Sequence, residues 1–167
     1  MTKSIAALVF VVFASCASLQ ESPRIVVAIT GMEAKDPGES EVLAKAAEER
    51  LKEAFSESRR FTLVERRRLA DVLREQKGDQ VGRLVGADWV LYGVIDWWGV
   101  RFTTPGLVAE AQVRLTVVRV VDGQILFSKG APGSASGLEN ADDDTLLLRA
   151  TLESVDKLLA EIDRLPR

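Results

Sequence analysis

The sequence predicts an α/β fold of the α+β kind: a mixed sheet of about five strands with helices packed on it, in the order β-α-β-α-β-β-β-α. Three patterns predict it. In the first half, short β-branched runs alternate with stretches whose apolar residues recur every three or four positions. In the second half, one strand alternates apolar and polar residues and runs into an Asp122-Gly123 turn. A long amphipathic stretch then follows. A chain of 167 residues has room for one core, and we place a single domain at residues 24–167.

Residues 24–29 (RIVVAI) lie between Pro23 and Gly31 and read as a short buried strand. Pro37 and Gly38 mark residues 35–38 as a loop, and Ser40 suits the N-cap of a helix over 41–57. Along that helix Leu43, Ala47, Leu51, Ala54 and Phe55 form one apolar stripe, leaving Lys45, Glu48, Glu49, Lys52 and Glu53 to water. Residues 61–64 are a second strand. A helix over about 67–76 turns Leu69, Val72 and Leu73 inward and stops at Gly78; a further helical turn over 81–85 ends at Gly86.

The third strand, 88–97, has apolar residues at both parities, so both of its faces should be covered, as at the centre of a sheet. Residues 99–106 read as a connection. The longest strand, 109–121, sets Ala111, Val113, Leu115 and Val117 against Glu110, Gln112, Arg114 and Thr116: one face is buried, the other wet or turned to a partner. A two-residue turn at Asp122-Gly123 leads into 124–129, and the Gly/Ser/Pro/Ala stretch 130–137 reads as a flexible loop. The last helix, 145–164, carries Leu148, Leu152, Val155, Leu159 and Ile162 on one face. Asp142, Asp143 and Asp144 before it lack the glycine and closing glutamate of a calcium loop, so they read as an N-cap with a favourable dipole.

Composition excludes several chemistries. A net charge of −3 without a concentrated basic surface argues against nucleic-acid binding. Having no histidine and one cysteine removes Ser-His-Asp and Cys-His nucleophiles, histidine bases, ordinary zinc sites and an intramolecular disulfide. No Gly-rich phosphate loop follows a strand. Asp88, Asp96 and Glu110 would be the acids of a hydrolytic or small-molecule-binding envelope domain, yet plain solvation explains them. The reading is of a non-catalytic protein with no cofactor and no metal. Arg66 and Arg67 are candidate partner contacts beside the simpler reading of a solvated helix start. Of Trp89, Trp97 and Trp98, the last is one step out of register with Trp97 and is the candidate for exposure to a partner.

The first 16 residues read as an address. Lys3 precedes an apolar run over 5–14, too short to span a bilayer and of secretory length. Phe13-Ala14-Ser15-Cys16 resembles a bacterial lipobox, with Phe13 where leucine is usual. The resemblance implies a signal peptide over 1–15, acylation of Cys16 and a short tether over 17–23. Two or three acyl chains anchor stably where one is marginal. Ala17 after the cysteine implies an outer-membrane lipoprotein facing the periplasm.

The segment Phe61-Thr62-Leu63-Val64-Glu65-Arg66, with Leu69, Leu73 and Glu75-Gln76, resembles the curli production component CsgG family. Gly86-Ala87-Asp88-Trp89-Val90-Leu91-Tyr92-Gly93 and the hairpin around Asp122-Gly123 are similar to segments of the same family. The resemblance spans residues 24 to about 130. It implies an anticodon-binding-like domain in a lipid-anchored envelope protein, a periplasmic or outer-membrane protein partner, and ring-forming relatives that leave a homo-oligomer open. Residues 98–108 and 130–144 are too short and too poor in alternating apolar residues for the two membrane hairpins of a curli-type pore. What remains is an accessory in envelope assembly or secretion. The alternative is an LpoB-like activator of a peptidoglycan synthase, disfavoured by a tether of seven residues.

Overall fold

The computed structural model describes residues 23–35, 40–64, 86–104, 106–138 and 140–166. The expected helices over 67–76 and 81–85, and the candidates Cys16, Arg66 and Arg67, lie outside the described residues. The elements are β1 (Ile25–Ala34), α1 (Ser40–Glu57), β2 (Phe61–Leu63), β3 (Trp89–Phe102), β4 (Gly106–Arg119), β5 (Ile125–Leu138) and α2 (Asp143–Ile162). They build one mixed sheet, as the two halves of the sequence predict, and its strand order is β2-β1-β3-β4-β5. β1 pairs in parallel with β2 and β3, whereas β3, β4 and β5 form an antiparallel meander. The strand with apolar residues at both parities is the central one.

Both helices cover one face of the sheet. Leu43, Ala47, Leu51 and Phe55 of α1 pack with Val27, Leu91, Ile95, Val113, Leu115 and Val117 into the main core. The alternation read in β4 is the alternation of its burial up to Leu115; Thr116, expected on the other face, is buried as well. Glu48 departs from the expected solvated face: it is buried, and its carboxylate meets Lys52 Nζ at 2.8 Å. A small cluster of Ala28 and Ala87 lies apart from the main core.

Several strands run further than their sequence signals. β1 continues past Gly31, which takes φ +145 at an irregularity in the β1–β3 ladder. The expected connection over 99–106 shrinks to residues 103–105, because β3 stays paired with β4 as far as Phe102 and Leu107. The Asp122-Gly123 turn is present with Gly123 at φ +71, but the loop is five residues, closed by Arg119 N–H donating to Gln124 O at 2.8 Å.

The expected flexible loop over 130–137 is the body of β5. Its glycines and alanines are what admit α2. A Cβ on Gly133 would stand 1.9 Å from Ala150 O and 2.7 Å from Ser154 N, so the helix backbone rests on the strand itself. The Ser154 hydroxyl enters the ladder, accepting from Val113 N–H at 3.1 Å and donating to Ala131 O at 2.5 Å. This close approach also shifts the helix's buried stripe to Leu146, Leu147, Ala150, Thr151, Ser154, Val155, Leu158 and Ile162, leaving Leu148, Leu152 and Leu159 only half-buried. Asp142 caps α2 as expected, accepting from Thr145 N–H at 3.0 Å and Thr145 Oγ1–H at 2.6 Å. Those two hydrogen bonds hold its carboxyl below the usual carboxylate value.

Candidate functional site

With the helices on one side, the far face of β3, β4 and β5 carries the polar positions of the alternating pattern. Register aligns them in rows across three strands. These rows are Tyr92, Thr116 and Ser128; Val94, Arg114 and Gly130; Trp97, Gln112 and Pro132; and Gly99, Glu110 and Ser134. Tyr92 and Trp97 are exposed at 42% and 45%, and the β5 members of all four rows are exposed. Thr116 is buried among its neighbours and its hydroxyl lies 3.2 Å from that of Ser128.

A bulge decides which tryptophan faces out. The β3–β4 register shifts between Ile95 and Trp97, so that Trp97 stands opposite Gln112 and Trp98 opposite buried Ala111. The inserted residue is Asp96. The expectation that Trp98 is the exposed tryptophan is therefore corrected: it is half-buried against the main core, because one extra residue exchanges the faces of everything after it. Trp97 Nε1–H donates to Gln112 Oε1 at 2.9 Å. Trp98 instead helps line a cleft of about 270 Å³ with Val42, Leu43, Leu147 and Leu148, where the N-terminal ends of the two helices meet.

The candidate acids do not converge. Asp88 Oδ2 accepts from Val26 N–H at 2.8 Å and secures the start of β3 to β1. Asp96 lies 2.6 Å from Lys35 Nζ and 2.9 Å from Arg114 Nη2, with its side chain 7% exposed. Burial alone would raise its carboxyl, but hydrogen bonds from Lys35 and Arg114 outweigh that and hold it below the usual value. Glu110 pairs with Arg101 at 3.0 Å. Each acid thus has a structural partner. Among the described residues, no three His, Cys, Asp or Glu side chains are grouped so as to hold a metal, and no helix is long and apolar enough to cross a membrane. The arrangement presents an exposed sheet face with two aromatic side chains on β3, small residues on β5 and two neutralised ion pairs.

No family model matches the chain, and no curated protein matches it. Solved structures do. The chain is similar to the hypothetical protein CT253 from Chlamydia trachomatis at 15% identity and TM-score 0.54, covering 84% of this chain and 94% of that one. It is also similar to the LpoB C-terminal domain from Escherichia coli at 21% identity and TM-score 0.50, covering 68% and 83%. A third similar structure is lipoprotein GNA1162 from Neisseria meningitidis, at 15% identity and TM-score 0.49, with 84% and 99% covered. The chain has the fold of the LpoB C-terminal domain.

Proposed function

We propose that this chain is a non-catalytic, lipid-anchored lipoprotein of the outer membrane, facing the periplasm, whose domain binds a protein partner in envelope assembly or secretion. The observation that carries the reading is the LpoB-type fold on a chain that opens with an apolar run ending in its one cysteine, Cys16. An exposed, largely prebuilt sheet face with every candidate acid engaged supports binding over catalysis. Acylation of Cys16 would hold the domain within about 25 Å of the lipid, since the seven tether residues extend at most about 3.5 Å each.

Metabolic labelling with an alkyne palmitate tests the anchor. The native chain takes the label and sediments with outer membranes; Cys16→Ala loses both. A variant that keeps its membrane fraction unchanged would end the lipoprotein reading. Crosslinking in intact cells then tests the partner, with a discrete protein adduct expected. LpoB-like activation of a peptidoglycan synthase is the second reading, favoured by the shared fold. Its short tether requires a partner close to the outer membrane.

A further inference from the structure

A sheet that ends in a 14-residue outer strand invites strand addition along that edge, but here α2 engages the middle of that edge. Pro132 has no N–H, and its carbonyl accepts from Lys157 Nζ at 2.9 Å. The Ser134 N–H donates to Glu153 Oε2 at 2.9 Å. Among the described residues, what remains open is the face of β3, β4 and β5. Its relief is uneven: Tyr92, Val94 and Trp97 make a ridge along β3, while Ser128, Gly130, Pro132 and Ser134 make a trough along β5, with β4 between them.

We propose that this face binds a second copy of the same chain, sheet against sheet, about a two-fold axis lying between the sheets and running along β4. Rotation about such an axis places β3 of one copy over β5 of the other at equal height. The rows of the register then specify the contacts: Trp97 over Pro132 of the second copy, Tyr92 over Ser128, Val94 over Gly130, and each of these twice. An axis across the strands would set ridge on ridge. Packed sheets stand about 10 Å apart, room for one interdigitated layer.

Charge does not oppose this pairing. Arg114 and Glu110, which lie near the axis and face their own copies, are neutralised within each protomer by Asp96 and Arg101. The patch is three strands wide and about ten residues long, roughly 14 Å by 33 Å, smaller than a standard interface. The dimer is therefore weak in dilute solution. It becomes populated at high local concentration, such as two copies held on one surface. The proposal does not depend on the anchor.

The test uses the full chain with Cys16→Ser and a single new cysteine, Gln112→Cys, close to the axis. A bis-maleimide of about 8 Å span suits the gap between packed sheets. Crosslinked dimer should form roughly ten-fold faster than with Arg149→Cys, on the exposed side of α2, because the axis brings like residues together. Adding Trp97→Ala or Ser134→Arg should return the rate to that of the control, with an unchanged far-ultraviolet spectrum showing the fold intact. Sedimentation of Cys16→Ser alone, from about 10 μM to 1 mM, should show the mass rising toward two copies, and Ser134→Arg should hold it at one. Equal crosslinking rates for Gln112→Cys and Arg149→Cys, or a dimer indifferent to both second-site changes, would overturn the proposal.

Discussion

At the scale of single residues, Asp96 holds the most. It is the inserted residue of the β3 bulge, and it ties Lys35, just past β1, to Arg114 on β4. Asp96→Asn keeps the shape and removes the charge, and should cost about 1–3 kcal/mol at pH 7 by leaving two cations without their shared partner. The sign of the pH dependence follows from its lowered carboxyl. The stabilisation is fully present above the unfolded carboxylate value of about 3.9 and is lost as pH falls through it toward the folded value. Urea midpoints at pH 7 and pH 3 check this: native chain and variant should differ at pH 7, and the gap should narrow at pH 3. An equal gap at both would mean that the charge is not the source. The same residue explains why the exposed aromatic was misplaced from sequence. Trp97 and Trp98 are adjacent, strict alternation must put one in and one out, and composition does not reveal a bulge that reverses the choice.

At the scale of elements, the sequence is most legible where one period dominates. The apolar stripe of α1 and the apolar face of β4 read out from sequence, because a helix repeats near 3.6 and a strand at 2, whereas Glu48 and Thr116, expected in water, are buried. β5 defeats the same rule. Its stretch from Gly130 to Gly137 has the composition of a linker, and only the close seating of α2 shows that small residues are a packing requirement. Gly133→Ala makes that requirement measurable. The added methyl meets the backbone of α2 at Ala150 and Ser154, which cannot swing aside as a side chain would, so a loss of about 1–3 kcal/mol is expected. Gly99→Ala, on β3, meets nothing within 4 Å and should change stability by less than about 1 kcal/mol. Chemical denaturation of the pair decides it. If both substitutions were equally mild, α2 would not be resting on β5.

At the scale of the whole molecule, the question is what closes a parallel β1-α1-β2 half onto an antiparallel β3-β4-β5-α2 half. Backbone pairing of β1 with β3 supplies one joint. The shared core of α1 with β3, β4 and α2 supplies another, and two arginines add polar links to α2. Arg50 Nε meets Asp156 Oδ1 at 2.8 Å across the α1–α2 seam, where both side chains remain partly in water. Arg60, just before β2, donates to the carbonyls of Asp163 and Leu165 beyond the end of α2, with its guanidinium 5.2 Å from the Phe61 ring centre and 5.9 Å from that of Trp89. These two contacts should differ in worth. The Arg50 pair is a solvent-screened ion pair, of about 0–1 kcal/mol. Arg60 satisfies two carbonyls of the turn that follows α2, brings its charge to the negative end of the helix dipole and lies against two aromatic rings, so losing its fork should cost about 1–3 kcal/mol. Arg60→Met keeps the apolar stem and isolates that loss. Arg60→Lys should recover only part, since one ammonium cannot reproduce a planar fork aimed at two acceptors. Guanidinium denaturation followed in parallel by tryptophan fluorescence and far-ultraviolet dichroism measures both variants beside Arg50→Met, and coincident transitions would show the halves still unfolding as one. Should Arg50→Met cost as much as Arg60→Met, the polar part of the closure would reside in charge between the helices and not in the arginine before β2 that binds the turn after α2.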